Sequence, residues 1–403
     1  MTAEASYRSR KSLSGLLAAI PTNSLGDVGL HPLPRKLEQA SQQGFKGIEL
    51  YYPELEHYAK KNTKNDMFKA AESLYELCNK HNLTVVTIHP FFNYEGLRDD
   101  HRLFTQQFLH RRLPEWVRLA YILRAEMILI PANYFGPDNK GKLRTTSDTI
   151  VSDLQLLVDR GTTLWQNMSE EDPAESSRAK SKGKGQSKDM STVKFAYEAL
   201  AWSNHVNTWQ KCWEVVKLVD RPNFGMCLDT FNIGAREYIE PSLFPRGVQF
   251  GGDEKIWYSL SRLSKMLQES SPEHQHKVFL VQVADGERHE VPLVGNIISP
   301  LTEERITASE HYVPDQPSRM TWSQTSRLFP FETNIRNSQG CLPIYDMIKV
   351  IFHNMKYRGW VSLEVTHRDL DNSSRHIPAI QAYKAWGSWE IMLQKLAAMK
   401  LLG

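Results

Sequence analysis

Four apolar stretches of this chain each carry one oxygen-bearing side chain near their C-terminal end. FAYEALAW, residues 195–202, holds Glu198, and FGMCLDT, residues 224–230, holds Asp229. VFLVQVAD, residues 278–285, holds Gln282, and WVSLEV, residues 360–365, holds Glu364. Their β-branched and aromatic content marks all four as buried strands. A carboxylate at the end of such a run loses water and needs a cation or hydrogen bonds to compensate. Three carboxylates brought together repel unless a proton or a divalent ion lies among them. With the carboxamide, the donor set is all oxygen, which favours a hard cation, Mg²⁺ or Mn²⁺. Zinc would prefer histidine or cysteine. The chemistry such a centre supports is metal-assisted removal of a proton next to a carbonyl.

Other polar residues end neighbouring strands. Glu49 sits in KGIELYY and His89 in TVVTIHP, so each is a candidate base, and Asn232 follows Asp229 by three positions. The elements that would carry these groups alternate along the whole chain. Strands are expected at residues 13–20, 46–52, 84–90, 126–132, 193–200, 224–229, 278–285 and 360–365. Helices are expected at 32–43, 66–81, 102–123, 147–165, 206–219, 255–269, 343–355 and 377–402, with Gly44 stopping the first and Pro114 bending the third. Eight strand–helix alternations imply parallel strands with crossover helices, and fit a closed (β/α)8 TIM barrel over residues 1–403. A doubly wound sheet would place a Gly-rich phosphate turn after its first strand, and AAIPTNSLG is not one.

In a barrel, strands five to eight are neighbours, so Glu198, Asp229, Gln282 and Glu364 can converge at one half of the mouth. Two segments exceed what the barrel needs. Residues 169–191 run from acids into Lys, Arg, Ser and Gly with almost no apolar content, and read as a disordered surface loop. They join a helix to a strand, on the rim away from chemistry. Residues 286–340 follow the seventh strand on the opposite rim and carry Leu293, Trp322, Phe329 and other apolar residues, as an active-site cover does.

Composition narrows the class. Apolar and charged fractions of 41% and 24% are those of a globular protein, and the net charge of +3 gives no reason to expect nucleic acid or a membrane surface. No apolar run approaches the roughly 20 residues of a membrane span. Arg8, Arg10 and Lys11 before the first apolar run imitate a signal peptide, but Ser14 and Gly15 interrupt it, and a first barrel strand is the expected reading. Cys78, Cys212, Cys227 and Cys341 have no metal-type spacing and read as reduced thiols of a cytoplasmic protein. Trp209 and Trp213 leave open a homo-oligomer, with helix packing the simpler account.

At this point the motifs resemble a family. GIEL at 47–50, IHP at 88–90, YEALAW at 197–202, GMCLDTFNI at 225–233, VQVAD at 281–285 and SLEV at 362–365 look like the xylose-isomerase-like barrel superfamily. Within it, nearly the whole chain is similar to the 3-dehydroshikimate dehydratases in their single-domain fungal form. The string WSQTSRLFP, residues 322–330, resembles the substrate loop of those enzymes. The resemblance implies metal ligands at Glu198, Asp229, Gln282 and Glu364, and substrate contacts at Ser323 and Arg327. It implies a small acidic substrate, 3-dehydroshikimate, dehydrated to protocatechuate in quinate and shikimate catabolism. Bacterial relatives place a histidine where this chain has Asn232, which is then expected to face substrate while His89 or Glu49 serves as base.

Three other readings share part of this pattern. A sugar or inositol-type isomerase, epimerase or dehydratase would use the same metal chemistry, but Ser323 and Arg327 favour an acidic substrate. An endonuclease-IV-like enzyme needs a histidine-rich zinc site, which Asn232 and Gln282 do not supply. A non-catalytic barrel would have no use for an intact donor set, and metal analysis of the purified protein separates it from the enzymes.

Overall fold

The computed structural model describes residues 15–97, 107–134, 147–171, 192–294, 297–298, 305–306, 313, 316–332 and 340–399. Eight parallel strands close into a barrel: β1 (Leu16–Pro21), β2 (Gly47–Tyr51), β3 (Thr84–His89), β4 (Met127–Pro131), β5 (Lys194–Glu198), β6 (Phe224–Asp229), β7 (Val278–Gln282) and β12 (Gly359–Ser362). Four short strands lie outside it. β8 (Asp285–Gly286) pairs with β11 (Arg327–Leu328), and β9 (Ile297–Ile298) pairs with β10 (Arg305–Ile306), both antiparallel. The (β/α)8 barrel expected from the sequence is the observed fold.

Strand alternation separates two apolar layers. Ala19, Val86, Met127, Leu129, Ala196, Cys227, Leu280 and Trp360 pack inside the barrel. Residues of opposite parity, such as Phe195, Tyr197 and Met226, pack under the helices. Two register shifts adjust which side chains point inward. Ile48 pairs with Val85 but Glu49 with Thr87, so Val86 is skipped; Met226 pairs with Val278 but Cys227 with Leu280, so Phe279 is skipped. Such bulges re-aim side chains beside functional sites.

The helices follow the sequence reading with local differences. Helix Leu33–Gln43 ends at Gly44, where φ is 119° and an added Cβ would lie 2.7 Å from the Trp386 ring. Pro53 sits in the first turn of helix Tyr52–Asn62, where its missing N–H is harmless. The stretch before Pro114 is a π-helical turn, Phe108–Arg112, leading into helix Leu113–Leu123. Helix Ser147–Glu171 is longer than expected, so Ser169 to Glu171 of the expected loop are helical. The rest of that loop, 172–191, lies outside the described residues.

A short helix, Thr230–Glu237, was not expected, because its sequence TFNIGARE is brief and contains Gly and Thr. Asp229 starts it: the carboxylate accepts from Phe231 N at 2.8 Å. The last strand of the barrel is preceded by helix Ile344–Ile348 and the π-helical turn Lys349–Asn354, and helix Ile377–Met399 follows it.

The excursion after β7 leaves and returns at one place. Leu342 N donates to Asp285 Oδ1 at 2.9 Å and Cys341 N to Gly286 O at 3.0 Å. Helix Ser318–Thr325 and β11 carry its C-terminal half back over the barrel.

Candidate active site

Glu198 is the last residue of β5 and Asp229 the last of β6, while Glu364 lies two positions beyond β12. All three share the parity of the interior residues Ala196, Cys227 and Trp360, so they face the barrel axis at its C-terminal mouth. One carboxylate oxygen from each lies within 4.8 Å of the others. Asn232, on the helix that Asp229 caps, ties two of them together. Its Nδ2 donates to Glu198 Oε1 at 2.9 Å and to Asp229 Oδ2 at 2.6 Å, while its Oδ1 accepts from Ala201 N at 2.9 Å.

Arg327 arrives from the excursion. Its Nη1 lies 3.0 Å from Asp229 Oδ2 and 2.8 Å from Glu364 Oε2. Ser323 Oγ accepts from Nε and Nη2 at 3.1 and 3.0 Å, and the guanidinium sits 4.4 Å from the Phe231 ring centroid. Only 4% of Arg327 is exposed. Burial works to lower its pKa, but Asp229, Glu364 and Glu198 around it prevail and raise it.

One arginine does not neutralise three carboxylates, two of them buried and the third, Glu364, with its side chain 13% exposed. Burial, followed by the charges of Glu364 and Asp229, holds Glu198 well above the usual carboxylate range. Glu364 is pushed up to about 7, chiefly by burial, with Arg327 opposing, and burial also raises Asp229. Fully ionised, three carboxylates and one guanidinium sum to −2. A divalent cation on hard oxygen donors answers both the charge and the donor chemistry, so the residues present fit such an ion.

The other expected site residues fall into two groups. His89, at the end of β3, is buried; its ring donates to the Glu49 backbone carbonyl and its Nε2 has no hydrogen-bond partner. Burial pushes its pKa down to about 4, against the charge of Glu364, so the ring is neutral with a lone pair on Nε2. Glu49 and Gln282 instead bond to each other within the barrel. Gln282 Nε2 donates to Glu49 Oε1 and Oε2 at 3.1 and 3.3 Å, and Thr87 Oγ1 donates to Oε2 at 2.9 Å. Gln282 Oε1, the atom a cation needs, accepts from Cys227 Sγ at 3.3 Å. Burial raises the pKa of Glu49, and the residue has no exposed surface.

Thr87 and Cys227 were not singled out by the sequence. Thr87 faces inward only because the bulge skips Val86, and Cys227 reads as a small core residue.

Known proteins share this architecture and sequence. The model of the xylose isomerase-like TIM barrel family matches residues 37–386. A 3-dehydroshikimate dehydratase of Neurospora crassa is 33% identical over 389 residues, 94% of each chain. The solved IolI protein with a bound zinc atom superposes with a TM-score of 0.59 at 13% identity, over 94% of this chain and 98% of that one. A xylose isomerase-like TIM barrel/4-hydroxyphenylpyruvate dioxygenase fusion protein gives 0.57 at 20% identity, over 92% of this chain and 42% of the fusion protein. The chain belongs to the xylose isomerase-like TIM barrel family, in the branch that holds the Neurospora crassa 3-dehydroshikimate dehydratase.

Proposed function

We propose that this chain is a hydro-lyase that converts 3-dehydroshikimate to protocatechuate and water, within quinate and shikimate catabolism. The observation that carries the reading is the mouth of the barrel. Three carboxylates, two of them buried and one partly so, and a buried arginine meet there, in a chain aligned over 94% of its length with a curated dehydratase. Glu198, Asp229 and Glu364 would hold the divalent ion, Mg²⁺ or Mn²⁺, with Gln282 as the fourth oxygen donor implied by the resemblance. When bound, the ion supplies Lewis-acid stabilisation of negative charge at the carbonyl oxygen.

The chain's own groups do the rest. His89 Nε2 is buried, neutral and unpartnered, which suits removal of the proton α to the ketone. The resulting imidazolium can return that proton to the departing β-hydroxyl, which leaves as water. Enolisation of the ketone then completes the aromatic ring. Glu49 is the poorer base, because its carboxylate is occupied by Gln282 and Thr87 inside the barrel. Arg327 presents a planar cation at the mouth, oriented by Ser323, for the substrate carboxylate. The described part of the excursion that carries Ser323 and Arg327, residues 316–332, would serve as a cover that excludes water and fixes the ring.

Among the described residues no helix is long and apolar enough to cross a membrane, and all four cysteines are free thiols, which fits a reducing compartment such as the cytoplasm. The test is an absorbance assay for protocatechuate after adding 3-dehydroshikimate, with and without chelator. Product is expected with Mg²⁺ or Mn²⁺ and lost with chelator. No product with either ion present overturns the assignment.

A further inference from the structure

Arg327 is held by a clasp that does not touch the carboxylates. Three short segments lie side by side: β8, β11, and the stretch that follows Glu364. β11 pairs with β8 through Arg327 and Gly286, and Ser326 bridges antiparallel to His367. The backbone of Arg327 is fixed between them, its N–H donating to Thr366 O at 3.0 Å. Thr366 Oγ1 donates to the carbonyl of Ser323, the residue that orients the guanidinium.

One carboxylate ties the outer segments together across this middle strand. Glu287 accepts from both Nη atoms of Arg368, Nη2 to Oε1 at 2.8 Å, and lies 3.4 Å from His367 Nε2. Its backbone is part of the same assembly: Glu287 N donates to Ser326 O at 2.9 Å and Trp322 Nε1 donates to Glu287 O at 2.8 Å. An exposed single-point ion pair contributes little to stability. This one is bidentate, with the Glu287 side chain 10% exposed, and a bidentate fork fixes direction as well as distance.

We propose that Glu287 and Arg368 are positioning residues for the reaction: their pair sets where the Arg327 guanidinium stands at the mouth, and so how well the substrate carboxylate is met. The inference rests on the reading of Arg327 as the substrate's partner. It adds two residues far apart in sequence that no motif marks.

The test uses the full-length protein with Arg368→Met, Arg368→Lys, Arg327→Met and the double variant. Arg368→Met is expected to raise KM for 3-dehydroshikimate about tenfold, below the ~10²-fold that an ångström of misplacement can cost. kcat and Mn²⁺ affinity by calorimetry should stay close to wild type, which a general loss of structure would not allow. Arg368→Lys should recover part of the loss, since lysine keeps the charge but not the fork. Adding Arg368→Met to Arg327→Met should cost nothing further, because the clasp acts only through Arg327. An unchanged KM in Arg368→Met, or full additivity in the double variant, overturns the proposal. Hydrogen exchange of a peptide spanning 322–330 is read in parallel and needs no substrate. Faster exchange in Arg368→Met supports the clasp even if the wild-type protein makes no product, whereas unchanged exchange overturns it.

Discussion

The same eight strands build both ends of the barrel, and the two ends differ in kind. The N-terminal end opens on a cavity of about 1090 Å³ bordered by Lys46, Lys194, Lys356 and Trp360, among others. Those lysines are exposed to solvent. At the C-terminal end a cavity of about 150 Å³ lies beside Arg327, Glu287, Arg368 and Lys384, and none of Glu198, Asp229 and Glu364 borders it. There Glu198, Asp229 and Arg327 are each 4% exposed or less. The large open cavity therefore lies at the end without the buried charges. Chemistry is found where charges have been taken out of water and held at fixed distances, because only there do electrostatic interactions keep most of their strength.

The sharpest way to break that contrast is to neutralise one carboxylate of the mouth. Glu364→Gln keeps the shape but removes a charge that the ion and Arg327 both meet. Loss of several kcal/mol of charge stabilisation corresponds to a fall of about 10⁴-fold in kcat/KM, with weakened Mn²⁺ binding by calorimetry. Full activity in this variant would dissolve the donor set.

A smaller loss is expected from the base. His89→Asn should lower kcat by about 10³-fold, within the usual range for a general base. The pH dependence has a definite sign. A base works unprotonated, and burial holds His89 down to about 4, so wild-type activity at saturating metal should persist on acidification and fall as pH drops through that value. A wild-type profile that declines already near the ordinary histidine pKa would show that the ring is not buried as described.

The smallest effect is reserved for the other end. Lys46→Ser and Lys194→Ser change solvated side chains and should leave kcat/KM within about twofold of wild type, as surface substitutions usually do. A large loss in either variant would mean that the open cavity takes part in the reaction, and the contrast between the ends would fail.

The barrel was legible because each buried strand reads as an apolar run and each covering helix as a periodic one. Glu198, Asp229 and Glu364 were legible because an acid interrupts such a run at its end. Gln282 shows where that signal stops. Its position was foreseen, but a bulge at Phe279 and the proximity of Glu49 and Cys227 decide what its amide bonds to. Asn232 was read as facing substrate; that its amide also links two carboxylates is an arrangement set by a helix too short to announce itself. Arg327 was noticed through a motif, yet nothing local says that it reaches Asp229 and Glu364.

Sequence alone settled the eightfold alternation, the strand ends that bear acids, and the excursion after the seventh strand. Those properties depend on neighbours within a few residues, through side-chain parity and helical period. Tertiary structure alone decided which oxygens meet, that a guanidinium stands among them, and that Glu287 and Arg368 hold it there. Such contacts join residues from distant parts of the chain, and their geometry follows from barrel closure and strand register, which no short stretch of residues specifies.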